Sequence, residues 1–225
     1  HNLTRSIFFS EEDVGQRKAK TVALKANNLA NAHLVDAVDE DFWAGLSFDT
    51  LSRSDAVICA VDNFEARIKL NQLCNLLKKP LLNTAIDHRH VSIELFPFDK
   101  VENCACFECA IPSSVYSKIS ARYSCGWIKK LHQEQKTIPT TSVTSSIVAS
   151  ICVSQLLEYL NPSLHRENIV YENSRKILFD TKSLNISEMP IRLKESCPSR
   201  LHGNKEFLLR GVSRNTVINE LFSGV

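Results

Sequence analysis

The chain has 225 residues, 44% of them hydrophobic and 23% charged, with a formal net charge of +2. That is ordinary globular usage, enough for one large domain with or without an appendage, and it excludes a disordered chain. A charge so near balance does not by itself call for a nucleic-acid partner, and no stretch is expected to reach the roughly 18 apolar residues of a membrane-spanning helix.

In chain order, residues 10–31 predict a helix. Ser10 is its cap, and Glu11, Glu12 and Asp13 occupy the first turn, where the positive end of the helix dipole favours them. Ala19, Val22, Ala23, Ala26 and Ala30 recur at helical spacing. His33–Val38 reads as a short strand and residues 39–46 as a short helix. The unbroken apolar run Ala56–Val61 is the pattern of a strand covered on both faces. Residues 64–78 predict a helix with Ala66, Leu70, Leu73, Cys74 and Leu77 on one face, stopped by Pro80. Leu81–Ile86 and Val91–Phe96 follow as buried strands. Strand, helix, strand in alternation predicts a parallel sheet with helices on both faces. In such sheets ligands bind beyond the carboxyl ends of strands, where Asp62 and Asp87 stand.

Residues 99–140 read as irregular, too long for an ordinary connection. Residues 142–160 predict a helix apolar nearly all round, hence buried, though interrupted by Ser145, Ser146, Ser150, Gln155 and Glu158. Ile169–Tyr171, Lys176–Phe179 and Ile186–Leu193 alternate like strands. Phe207–Leu209 and Thr216–Phe222 suggest a last strand and a short helix.

Four constellations carry chemistry. Arg5 and Lys18 are cations near the start of a helix, a pattern that suits phosphate as well as a solvated face. Asp62-Asn63 ends a strand and begins a helix: such an Asp holds Mg²⁺ or orients a nucleotide, and either residue also suits a helix N-cap. Cys104, Cys106 and Cys109 are crowded, and Cys197 and His202 lie far downstream. Cys106 and Cys109 form a C-x-x-C pair of the kind that binds zinc tetrahedrally, with Cys197 beside them and either His202 or Cys104 as the fourth ligand. Unligated thiols are the alternative. Cys125, in the irregular segment, is either a nucleophile or an ordinary thiol. Cys59, Cys74 and Cys152 sit in apolar runs and read as buried free thiols. Eight cysteines used this way suit a reducing compartment, so a cytoplasmic protein is expected.

Asn-Leu-x-Arg from Asn2, Asp-Val-Gly-x-x-Lys to Lys18, Asp-Asn-x-x-x-Arg-x-x-x-Asn from Asp62, Lys-Pro-Leu and C-x-x-C follow one another in an order that resembles the ThiF-type adenylyltransferases, activators of ubiquitin and of sulfur-carrier proteins. The resemblance runs from residue 2 to about 202 and implies a Rossmann-like α/β domain over 1–202, whose C-terminal half has mixed strands and a zinc knuckle, with 203–225 as a tail or the start of a small appended segment. It implies that Asn2, Arg5 and Lys18 contact ATP phosphates. Asp62 would coordinate Mg²⁺ and position the α-phosphate, with Asn63 beside the nucleotide. Cys106, Cys109 and Cys197 would be zinc ligands, with His202 in place of a second C-x-x-C. Cys125 would be the acceptor thiol of those members that form a thioester or persulfide. The implied reaction is adenylation of the C-terminal carboxylate of a ubiquitin-like or sulfur-carrier protein or a peptide, by a homodimer. The alternatives are a peptide-tailoring enzyme for a ribosomally made natural product and a non-catalytic subunit of a heterodimer. The family's glycine-rich loop and ribose-binding acid are expected upstream of His1, and Ser6 stands where many relatives have Gln.

Overall fold

The computed structural model describes residues 3, 6–122, 140–164 and 171–199. Its centre is a five-stranded sheet in the order β1-β2-β3-β4-β5, with β1 Val57–Cys59, β2 Leu81–Ile86, β3 His90–Phe96, β4 Arg175–Asp180 and β5 Asn185–Pro190. Only β1 and β2 run parallel; β2–β3, β3–β4 and β4–β5 are antiparallel. The parallel sheet expected from the strand–helix–strand alternation is therefore corrected to one parallel pair, and the sheet as a whole is mixed. The turn from β2 to β3 holds only three residues, Asp87–Arg89, which is too few for the crossover that a parallel pair needs. Asp87 shapes that turn by accepting from the Arg89 N–H (2.7 Å) and the His90 N–H (2.6 Å).

Helices cover both faces, as the continuous apolar runs require. Side chains alternate along β2 and β3. Leu81 and Phe96 face a cluster with Leu70 and Cys74 of α4 (Phe64–Leu77). Leu82, Val91, Ile93 and Leu95 face Val148, Cys152 and Tyr159 of α7 (Ser142–Leu160). Burial holds the thiols of Cys59, Cys74 and Cys152 above the ordinary range, Cys74 at about 12.

The helix expected over 10–31 is two pieces. Ser10 caps a single 3-10 turn, Glu11–Asp13, and its N–H donates to the Asp13 carboxylate (2.7 Å). Gly15 follows at φ +87°, a conformation costly for any residue with a Cβ, and α1 starts afresh at Lys18 and runs to Ala30. His33–Val38 is no strand. Asn27 of α1 supplies what a partner strand would: its Oδ1 accepts from the N–H groups of Leu34 (2.8 Å) and Val35 (2.9 Å), and its Nδ2 donates to the Val35 carbonyl (2.8 Å). Two short helices come next, α2 Phe42–Gly45 and α3 Phe48–Arg53, and two more fall in the segment expected to be irregular, α5 Phe107–Ala110 and α6 Ser114–Arg122.

α7 has the expected bounds but not the expected burial. Thr144, Val148, Cys152 and Tyr159 are buried, while Val143, Val153 and Leu157 are exposed. By length and composition alone this helix suffices to cross a membrane, contrary to expectation; in the fold it lies along β2 and β3. The strands anticipated at 176–179 and 186–193 are present as β4 and β5, the second ending at Pro190 and not at Leu193, and residues 169–170 and everything beyond 199 lie outside the described residues. Leu82 has no exposed surface, whereas half of Leu157 faces solvent. Leu82→Ala is expected to lower the unfolding free energy by about 2–5 kcal/mol in urea melts, from lost burial and a cavity, and Leu157→Ala by under about 1 kcal/mol.

Candidate functional site

β1 is short, and past Cys59 it separates from β2. Asp62 and Asn63 stand on the chain just beyond this divergence. Asn63 is the N-cap of α4: its Oδ1 accepts from the Ala66 N–H at 2.8 Å. Of the two residues the sequence offers as the cap, Asn63 takes it, and the Asp62 carboxylate is exposed. The Asn63 amide approaches Asp62 Oδ1 only at 3.5 Å, the outer limit of a hydrogen bond. A carboxylate at the carboxyl end of a parallel strand, beside a helix N-terminus, suits a metal–phosphate ligand.

Arg67, on the first turns of α4, closes the divergence. Its guanidinium donates to the carbonyls of Val61 and Thr84 (2.7 Å to Thr84) and to Asn83 Oδ1. Asn83 Nδ2 donates to Glu94 Oε2 (2.7 Å), and Lys176 Nζ donates to Glu94 Oε1 (3.0 Å). These residues are register partners on neighbouring strands, Asn83 opposite Glu94 and Glu94 opposite Lys176. A polar row thus crosses three strands on the α4 side of the sheet, with Asn83 and Glu94 buried. Buried polar groups persist where they are mutually satisfied.

Lys18 is the first residue of α1 and is exposed. Asn2, Arg5, Cys125 and His202 lie outside the described residues.

A second cluster sits on the α4 side. Cys106 Sγ is 4.0 Å from Cys109 Sγ and 3.7 Å from Cys197 Sγ, and the three sulfurs lie within 4.8 Å of one another. Four sulfurs about 2.3 Å from a tetrahedral zinc are about 3.8 Å apart, so this spacing fits three of four ligands. They come from two places in the chain. Cys109 N–H donates to the Cys106 carbonyl (2.9 Å), forming the knuckle turn at the start of α5. Cys197 arrives on the segment after β5, where buried Ile191 docks and Lys194 Nζ donates to the Ile111 carbonyl (2.9 Å). Hydrogen bonding to Cys106 and Cys109, then burial, raises the Cys197 pKa. Cys104 lies outside this three-sulfur group, and burial pushes its thiol up to about 11.

Several supporting residues had no role assigned from the sequence, Asn71 among them although it closes the Asp-Asn-x-x-x-Arg-x-x-x-Asn motif. Asn71, fully buried on α4, accepts from the Phe107 N–H (2.9 Å) and so ties the helix to the knuckle. Buried Glu108 accepts from Tyr116 Oη (2.6 Å) and Gln72 Nε2 (3.2 Å). Desolvation and the bond to Glu108 raise the Tyr116 pKa, so its proton stays on the phenol as donor. The visible signal was polarity inside apolar runs, Asn83 in LLNTAI and Glu94 in SIELF.

An α/β domain with a mixed sheet, an acidic strand end and a knuckle of thiols is a narrow class. The model of the ThiF family matches residues 1–199, and the chain belongs to that family. It is 29% identical over 170 residues to the ubiquitin-like modifier-activating enzyme 5 of Bombyx mori, covering 71% of this chain and 41% of that protein. It is 24% identical over 200 residues to the SAMP-activating enzyme E1 of Haloferax volcanii, covering 88% and 65%. The fold matches E. coli MccB, solved with AMPCPP and MccA, at TM-score 0.62 and 18% identity, covering 88% of this chain and 55% of that one. The chain thus spans less than two thirds of each of these proteins.

Because Asn63 holds the cap, Asn63→Ala is expected to cost about 1 kcal/mol in thermal or urea unfolding, and Asp62→Ala within about 0.5 kcal/mol.

Proposed function

We propose that the protein is an adenylating enzyme, which transfers AMP from ATP to the C-terminal carboxylate of a ubiquitin-like or sulfur-carrier protein. The observation that carries this reading is the exposed Asp62 carboxylate beyond the carboxyl end of β1, with the capping role taken by Asn63. The named relatives, which are activating enzymes, support it. A peptide substrate is the second reading, supported by the likeness in fold to MccB, solved with MccA.

In this reading a carboxylate oxygen of the carrier attacks the α-phosphorus of ATP, the bond to the bridging oxygen breaks, and pyrophosphate leaves with the electron pair. Asp62 would hold Mg²⁺, which neutralises charge on the phosphates. Lys18, with Asn2 and Arg5, would bind phosphate oxygens, and Asn63 would lie beside the nucleotide. The protein's part is alignment and charge neutralisation. Cys125 would accept the activated carboxylate where transfer follows. The domain would end near 202, with 203–225 as a tail.

Zinc belongs to the same reading, held by Cys106, Cys109 and Cys197 with His202 as fourth ligand; it would staple α5 to the segment after β5. The free thiols of the described cysteines suit a reducing cytoplasmic setting. The exposed apolar side of α7 suits a second copy, so the enzyme would be a homodimer, which sedimentation checks. Its partners would be a protein or peptide and not nucleic acid or membrane.

Carrier-dependent ATP–pyrophosphate exchange tests the reaction. Asp62→Ala is expected to reduce exchange about 100-fold or more and Lys18→Ala about tenfold or more, the scale of losing a preorganised charge. Exchange indifferent to Asp62→Ala would remove the site. Elemental analysis is expected to find one zinc per chain, lost in Cys106→Ser and Cys109→Ser and kept in Cys104→Ser.

A further inference from the structure

We infer that Arg67 is a positioning residue of this site, setting the place of the Asp62 carboxylate through the backbone that leads to it. The inference rests on the proposed ATP–Mg²⁺ role of Asp62.

The ladder between β1 and β2 ends at Cys59 opposite Asn83. Thr84 Oγ1 still reaches back to the Cys59 carbonyl (3.1 Å), and then the two chains part. Val61, the residue immediately before Asp62, has its carbonyl beyond the last ladder pair. Arg67 donates to that carbonyl and, with its other terminal nitrogen, to the Thr84 carbonyl and Asn83 Oδ1. One planar guanidinium thus fixes the chain before Asp62 against the end of β2. A lysine ammonium cannot reproduce this fork.

The fork is itself held from both sides. Its helix starts at the Asn63 cap, one residue after Asp62, so the chain on either side of the carboxylate is tied to α4. Asn83, the acceptor on β2, is held by Glu94 on β3, and Glu94 by Lys176 on β4. Asp62 therefore sits on a short span clamped at Val61 and Asn63, while its side chain stays exposed. A group so placed offers a metal–phosphate ligand whose position is set before the nucleotide arrives.

Direct binding of ATP to the intact protein, by calorimetry with Mg²⁺ and with EDTA, tests this. The reading is the ratio of the two affinities. Wild type is expected to bind more tightly with Mg²⁺, and Asp62→Ala to bring the ratio close to one. Arg67→Lys is expected to lower the ratio about tenfold or more, as small misplacements of a site group do, with ATP affinity in EDTA unchanged. The double variant is expected to match Asp62→Ala alone, because Arg67 acts through Asp62. A wild-type ratio in Arg67→Lys, an equal loss in both buffers, or additive losses in the double variant would leave Arg67 a structural residue only. Wild-type protein that binds no ATP, or an unchanged ratio in Asp62→Ala, would overturn the Asp62 assignment itself, and the positioning role with it. If Arg67→Lys melts below the assay temperature, Asn83→Ala is read against the same criteria.

Discussion

Where β1 parts from β2, two backbone carbonyls pass beyond the end of the ladder, and the Arg67 guanidinium is what answers them. Everything near Asp62 depends on that substitution. A parallel pair only three residues long is a weak element, and its carboxyl end would fray without a donor. The donor comes from the helix that follows, so the strand end, the loop and the helix start are closed into one ring. A charged group in this position needs acceptors for its donors, and the two carbonyls and Asn83 supply them. Glu94 and Lys176 then carry the arrangement across the sheet, each satisfied by a neighbour on the next strand.

The same helix serves the second cluster. From Arg67 to Asn71 is one turn, and the face carrying Asn71 meets the knuckle through the Phe107 N–H. Phe64 also stacks on Phe107 at 6.3 Å between ring centres. α4 is therefore a common support: its first turn holds the acidic strand end and its second holds the backbone from which Cys106 and Cys109 project. A fault in the packing of Leu70 and Cys74 against Leu81 and Phe96 would reach both.

Much of this was legible in the sequence. The apolar runs located β1, β2 and β3, Pro80 marked the end of α4, and the C-x-x-C spacing identified a pair of thiols that do meet Cys197. Strand direction was not legible, since periodicity is the same in parallel and antiparallel strands; only the three-residue Asp87–Arg89 turn carries that information. Nor was the break in the first helix, because Gly15 lies in an otherwise helical pattern and its positive φ is a property of the fold. His33–Val38 has strand composition, but its neighbour is a side chain, Asn27, and composition does not report a partner. Arg67 was visible as a motif position without a role. Its role follows from three acceptors brought together by β1, β2 and the intervening loop, a coincidence of tertiary structure.

α7 shows how far an apolar pattern can be taken. Its mean composition called for burial all round, yet a single sheet face can cover only one side of a helix. Val148, Cys152 and Tyr159 take that side. At the end of the helix, Lys100 lies over the Tyr159 ring, 3.5 Å from its centre, and donates to the Tyr159 carbonyl (2.9 Å), while Asp99 accepts from the Tyr159 hydroxyl. These contacts fix the register of the helix on the sheet through polar groups, so its exposed side is not needed to hold it in place. Val143, Val153 and Leu157 stay exposed on the other side. Their apolar character must be accounted for by something other than the internal packing of the described chain, and an exposed apolar face of this kind is what association with another surface would require.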